Sequence, residues 1–275
     1  MTIFAERFGQ LFKSNIKMDS ERTYYRTVVI SDVHLGSPHS KLKEVTRFLN
    51  SVDCDKLILA GDIIDGWQLK KHNNPWTPME TAFFYSIIRL MNLGHAKTVY
   101  VTGNHDDFLD GIVPSELFTV SLVSEYVLES GDNRFVVIHG HAFDAITTHM
   151  KWLAKLGDVG YNFLLKFNKL WNLSRERHGV GHYSFSQIVK QKVKQVVNIV
   201  SGFEGNLYDF AKSKKCNGII CGHIHHPCDK MLKGEIRYLN CGDWVESLTA
   251  LVETMEGEWK IVRYTAPLPL NEVHQ

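Results

Sequence analysis

No stretch of the chain approaches the 18 or so consecutive apolar residues of a transmembrane helix, so a helical membrane span is not expected. The first residues, MTIFAERFGQLFKSNIKM, lack the continuous apolar core of a secretory signal. The five cysteines (Cys54, Cys216, Cys221, Cys228, Cys241) are odd in number and contain no CxxC pair, which argues against a disulfide framework and for a reduced, cytoplasmic setting. The net charge is only +1, giving no bulk attraction to nucleic acid, and repeats and low-complexity tracts are absent. What remains is ordinary globular composition, 44% apolar and 22% charged, over 275 residues. That length suits one large domain, or one domain carrying a substantial insertion. The one compositional excess is fourteen histidines.

Short, nearly continuous apolar runs recur, each ending in a polar cluster: TVVISDVH (27–34), KLILAGD (56–62), KTVYVTGNHD (97–106), RFVVIHGH (134–141) and GIICGHIHH (218–226). Such runs predict strands buried on both faces. Between the early ones lie helical segments. Leu42, Val45 and Leu49 have helical spacing in 40–50, and 77–93 opens on the capping box Thr77-Pro78-Met79-Glu80 and stops at Gly94. The alternation predicts a layered α/β fold. From Glu235 onward the pattern predicts antiparallel strands, with a hairpin turn at Glu256-Gly257.

Residues 142–203 break the pattern, being helical in spacing and basic. They hold nine Lys/Arg against three acids, a charge of +6 that leaves the rest of the chain at −5. An insertion between two strands of the core is expected here, dividing the chain into an amphipathic extension (1–25), a core (26–141 and 204–275) and a cap (142–203).

Each predicted strand ends in residues that bind hard or borderline metal ions: Asp32-Val33-His34, Gly61-Asp62-Ile63-Ile64-Asp65, Gly103-Asn104-His105-Asp106, His139-Gly140-His141 and Gly222-His223-Ile224-His225. In α/β sheets ligands bind beyond the carboxyl ends of the strands, so five ends converge on one place. One such cluster is ordinarily a turn; five in order, each at a strand terminus, point to a metal centre.

These motifs resemble those of the calcineurin-like metallophosphoesterase superfamily: DxH, GDxxD, GNH(D/E), H and GHxH. Within it, HGHAFD (139–144), the basic segment after it and GHIHHP (222–227) are similar to the UDP-2,3-diacylglucosamine hydrolases of lipid A synthesis. The resemblance implies a sandwich of two mixed β-sheets flanked by helices, with a helical cap. It also implies two divalent ions, manganese before iron or zinc. Asp32, His34, Asp62 and His225 would take the first ion; Asp62, Asn104, His139 and His223 would take the second, with Asp62 shared. His105 would be the acid or charge-stabilising group, oriented by Asp106, and Asp65 would fix a ligand histidine. The reaction implied is attack by activated water on a pyrophosphate, giving UMP and 2,3-diacylglucosamine 1-phosphate; the alternatives are a phosphodiesterase or pyrophosphatase for another nucleotide or lipid-linked ester, and a non-catalytic scaffold of the same fold. Many of those hydrolases carry arginine where this chain has His105, and aspartate where it has His141.

His141 faces substrate or stands in an exposed loop. His226, one step out of alternation with His223 and His225, is expected outside the ligand set, in an outer shell or facing substrate. Ser184, Lys190 and Lys194 are candidates for the nucleotide diphosphate, or face solvent. The apolar residues from Trp152 to Trp171, interleaved with lysines, predict either a helical hairpin packed on the core or a cap for acyl chains resting on an anionic membrane. Phe4, Phe8, Leu11 and Phe12 share one face of the N-terminal segment, for core or membrane. The partners expected are a lipid-linked nucleotide and the inner face of the cytoplasmic membrane, without nucleic acid or an obligate protein partner.

Overall fold

The computed structural model describes residues 22–71, 76–92, 94–117, 119–143 and 202–265. The N-terminal segment 1–21, nearly all of the cap and with it Ser184, Lys190 and Lys194 lie outside the described residues.

Among the described residues, twelve strands build two facing sheets. The first contains β1 (Thr23–Ile30), β2 (Val52–Ala60), β3 (Lys97–Val101), β4 (Ser115–Leu117), β5 (Val120–Val123), β11 (Thr249–Glu253) and β12 (Trp259–Arg263), in the order β12-β11-β1-β2-β3-β5-β4. The second contains β6 (Tyr126–Ser130), β7 (Asn133–Val137), β8 (Gly218–Cys221), β9 (Cys228–Leu232) and β10 (Ile236–Asn240), in the order β6-β7-β8-β10-β9. Both are mixed: β1, β2, β3 and β5 run parallel, as do β7, β8 and β10, while β11, β12, β4, β6 and β9 add antiparallel neighbours.

The double burial of the apolar runs follows from this layering. Val29, Ile58, Val99 and Val101 of the first sheet face Phe135, Val137, Ile220 and Leu239 of the second. The opposite face of the first sheet (Val28, Ile30, Leu57, Leu59) packs on α1 (Leu42–Ser51) and α3 (Pro78–Asn92). The outer face of the second (Val136, Ile219, Tyr238) packs on α4, described over 202–213, through Phe203, Leu207 and Ala211. A one-turn helix, α2 (Gly66–Leu69), follows β2.

The helix signals act as read. Thr77 N–H and hydroxyl both donate to Glu80, and Met79 N–H donates to the Thr77 hydroxyl (3.2 Å), which is the reciprocal cap of α3. The C-terminal hairpin turns at Gly257, with φ +84°. β10 departs from the all-antiparallel expectation: it lies parallel to β8 in the second sheet, while β11 and β12 complete the first.

Trp244, its ring fully buried on Phe48 (ring centroids 5.3 Å), joins core to site, because its backbone N–H donates to the Asp32 carbonyl (3.1 Å). Trp244→Ala is expected to cost about 3–5 kcal/mol in urea unfolding, the range for emptying a large aromatic site.

Candidate metal centre

The carboxyl ends of β1, β2 and β3 in one sheet and of β7 and β8 in the other meet at one rim of the sandwich. The chain turns sharply there. Asp32, His34, Asp62, His223 and His225 all have positive φ, between +49° and +67°. A non-glycine residue in that region costs on the order of 1 kcal/mol or more and persists where its surroundings hold it. His223 and His225 therefore reach the site through two left-handed residues, not along the extended segment that simple alternation assumes.

The two carboxylates have the same design. Asp62 Oδ1 accepts from His105 N–H (2.8 Å), and Asp32 Oδ2 accepts from His223 N–H (2.9 Å). The second oxygen of each, Asp62 Oδ2 and Asp32 Oδ1, is buried without a hydrogen-bond partner. Around Asp32 Oδ1 stand His225 Nε2 at 3.1 Å and His34 Nε2 at 3.7 Å. Around Asp62 Oδ2 stand His139 Nε2 at 3.2 Å, His34 Nε2 at 3.8 Å and His105 Nε2 at 3.9 Å. His139 Nδ1 lies 3.0 Å from the Ala60 carbonyl; donating there leaves Nε2, which faces Asp62, as the nitrogen that would bind a cation once its proton is displaced.

Asp32, His34 and His225 offer atoms within 4.8 Å of one another, as do Asp62, His139 and His223. His139 Nε2, His225 Nε2 and Asn104 Oδ1 are further buried atoms that lack a hydrogen-bond partner. Bare oxygen and imidazole nitrogen atoms facing one another out of hydrogen-bond alignment fit divalent cations, and the absence of thiolate suits manganese, iron or zinc. Asp62, between the two groups, is placed to belong to both.

Two glycines make this approach feasible. A side chain at Gly61 (φ +88°) would run into the His139 ring, and one at Gly222 would overlap the Ser31 hydroxyl and the Asp32 carboxylate. Gly222→Ala is expected to displace Asp32 and to reduce bound metal per chain, measured by elemental analysis, with the fold retained in circular dichroism.

Burial opposes charge throughout the cluster, and mutual attraction overcomes it. Asp32 and Asp65 hold His34 up to about 10 despite its burial. Asp62, then Asp32, lift buried His139 to about 9. His139 pulls Asp62 down to about 2 against its burial, and Asp32 is held well below the carboxylate range by His139, His225 and His34. In the metal-free chain the two histidines therefore carry protons at neutral pH, and a cation entering the site must expel them. Metal affinity is expected to rise with pH from about 6 to 9, as measured by chelator competition; a flat profile would contradict this electrostatic balance.

The orientation of His105 corrects one expectation. Asp106 is turned away from it: its carboxylate accepts from Ile64 N–H (2.9 Å), the Tyr100 hydroxyl (2.7 Å) and Gly103 N–H (3.1 Å). Burial raises its pKa, and its work is to clamp the loop after β3. The neighbour of His105 is Asp65, whose Oδ1 lies 3.1 Å from Nδ1. Asp65 Oδ2 lies 3.6 Å from His34 Nδ1, so this carboxylate serves both imidazoles and stays below its usual pKa range, burial notwithstanding.

His141 is exposed, with its ring 5.6 Å from His139 and 6.5 Å from His223; partial desolvation, then these two imidazoles, lower its pKa. His226 is exposed beside the rim. Sequence reasoning passed over Trp67, a half-exposed aromatic lying over the His105 ring; its signal was an aromatic residue two positions after Asp65.

The sequence model for calcineurin-like phosphoesterases matches residues 25–227, which carry all five motifs. A UDP-2,3-diacylglucosamine hydrolase from Photorhabdus laumondii is 24% identical over 73% of this chain and 82% of its own. One from Shewanella baltica is 25% identical, covering 84% and 95%. Among solved structures, an archaeal phosphodiesterase aligns over 86% of this chain and 98% of its own, at 14% identity and a TM-score of 0.41. With the matched model spanning most of the chain and its motifs gathered around paired Asp/His clusters, the chain belongs to the calcineurin-like phosphoesterase family and is a metal-dependent phosphoester hydrolase.

Proposed function

We propose that this chain hydrolyses the pyrophosphate of UDP-2,3-diacylglucosamine, releasing UMP and 2,3-diacylglucosamine 1-phosphate. The observation that carries this reading is the likeness to UDP-2,3-diacylglucosamine hydrolases along most of both chains. Asp32, His34, Asp62 and His225 would hold one ion, and Asp62, Asn104, His139 and His223 the other, with manganese the ion proposed. Two such ions would neutralise phosphate oxygens and lower the pKa of a shared water.

The remaining work falls to the chain's own residues. Asp62 contributes one bare oxygen to both halves of the site. His105, its Nδ1 turned to Asp65, presents Nε2 toward Asp62. From there it hydrogen-bonds a phosphoryl oxygen or gives a proton to the leaving oxygen. Substrate access at a membrane surface is part of the proposal; the basic and apolar residues of 142–203 support it.

The test is hydrolysis of UDP-2,3-diacylglucosamine by the manganese-loaded protein in ¹⁸O water. UMP carrying the label is expected; label confined to the lipid phosphate would reverse the site of attack, and no UMP would refute the substrate. A second reading, a phosphodiesterase for another nucleotide or lipid-linked ester, is favoured by His105 standing where many of those hydrolases have arginine. Comparable turnover of bis-p-nitrophenyl phosphate and of the lipid substrate would select it.

A further inference from the structure

We infer that Trp67 is a positioning residue for His105, holding the plane of the imidazole that Asp65 alone leaves free to turn. The inference rests on the proposed role of His105 and extends it to a residue outside the metal motifs. Three consecutive residues grip the histidine, each at a different place. Asp65 Oδ1 meets its Nδ1 at 3.1 Å, Gly66 N–H donates to its carbonyl (3.0 Å), and the Trp67 indole lies over its ring, centroids 4.1 Å apart and planes 37° apart. On another side, His34 meets the ring edge-on at 4.6 Å and 90°.

The geometry divides the labour. An N–H···O contact sets the direction of one ring atom but not rotation about that direction, and the Asp65 contact is out of hydrogen-bond alignment, so it restrains little by itself. A face contact and an edge contact together remove the rotation. What is left open is the Nε2 edge, which faces Asp62 Oδ2.

Trp67 is itself pinned, although it is 48% exposed. Its Nε1–H donates to Asp107 Oδ2 at 3.2 Å. A large apolar ring left half in water but tied in place beside a reactive imidazole is not accounted for by core packing. The indole also keeps water from one face of His105, which strengthens any hydrogen bond its Nε2 makes to a phosphoryl oxygen.

The test is a double-mutant cycle in the full-length, manganese-loaded protein with bis-p-nitrophenyl phosphate, using Trp67→Leu, Trp67→Phe, His105→Ala and the Trp67→Leu/His105→Ala pair. Trp67→Leu is expected to lower kcat about tenfold, with KM changed less than about twofold and metal content unchanged. Trp67→Phe is expected to recover most of the loss. In the His105→Ala background the leucine substitution should change kcat by less than about twofold, because there is no ring left to hold. In the zinc-loaded protein the His105 Cε1–H resonance should be sharp and ring-current shifted, and should broaden or return toward its unshifted position in Trp67→Leu but not in Trp67→Phe.

An equal fall in both backgrounds, or a rise in KM at constant kcat, would make Trp67 a substrate contact and overturn the inference while leaving His105 its role. A His105→Ala protein as fast as the unsubstituted one on this ester would instead overturn charge stabilisation as the duty of His105 and leave proton delivery, and the resonance alone would then decide the positioning role. If that variant is too slow for the cycle, a His105 resonance unchanged by Trp67→Leu refutes the positioning role directly.

Discussion

Asp62→Asn is expected to abolish hydrolysis and to take bound metal from about two ions per chain to one or fewer. The change keeps the shape of the side chain and removes its charge. In the structure Asp62 is wholly buried, with one oxygen spent on His105 N–H and the other facing His139, His34 and His105. No other described carboxylate touches both halves of the cluster in this way, so one substitution disturbs both. Metal-ion catalysis supplies several kcal/mol of charge stabilisation, and at 1.36 kcal/mol per decade its loss means roughly a 10³-fold fall or more. Elemental analysis alongside turnover decides the matter. A variant that retains two ions and a tenth of the activity would show that Asp62 is not shared. Circular dichroism guards against unfolding; the substitution also removes a buried charge, so the metal-free variant is expected to stay folded.

The parts of this site legible in the sequence were those with short-range signatures. Each strand ended where a run such as KLILA met a polar residue or a glycine, because a strand buried between a sheet and a helix tolerates apolar residues on both faces and nothing polar until it leaves the layers. The Thr77–Glu80 cap was legible for the same reason: its four residues satisfy their own backbone. Partners that the turns chose were not legible. Asp65 and Asp106 are both acids at the end of a metal motif, and nothing in their spacing says which faces His105. The difference arises because Asp106 is recruited by the Ile64 and Gly103 amides and the Tyr100 hydroxyl, which lie 42, 3 and 6 positions away. The same holds for His223 and His225. Their shared destination could be inferred from spacing, but not the positive φ that delivers them, nor the close approach of Ser31 and Asp32 to Gly222. The pairing of β10 with β8 was hidden too, since an apolar strand flanked by loops does not announce which sheet it will join.

The companion expectation concerns His105, and its force lies in what should not change. His105→Ala is expected to lower kcat by roughly 10²–10⁴, the span for a lost acid–base or charge-stabilising group, while two ions remain bound. His105 adjoins the Asp32 and Asp62 groups without belonging to either, although with His34 and Asp65 it forms a third close group. Its Nε2 is 3.9 Å from the bare oxygen of Asp62, where His139 Nε2 stands at 3.2 Å, and its Nδ1 faces Asp65 Oδ1 at 3.1 Å. The backbone N–H that fixes Asp62 Oδ1 survives truncation of the side chain, so Asp62 should keep its place. His105→Gln separates the two duties left open for the imidazole. A glutamine amide can donate a hydrogen bond to a phosphoryl oxygen but cannot deliver a proton to a leaving group. If charge stabilisation dominates, glutamine should restore part of the loss on every substrate. If proton delivery dominates, His105→Gln should be as slow as His105→Ala on substrates with a basic leaving oxygen. Both variants should then approach the unsubstituted rate on p-nitrophenolate esters, whose leaving group departs without a proton. Loss of metal from His105→Ala would instead place the ring in the coordination sphere and make the three-residue grip of Asp65, Gly66 and Trp67 a device for holding a ligand.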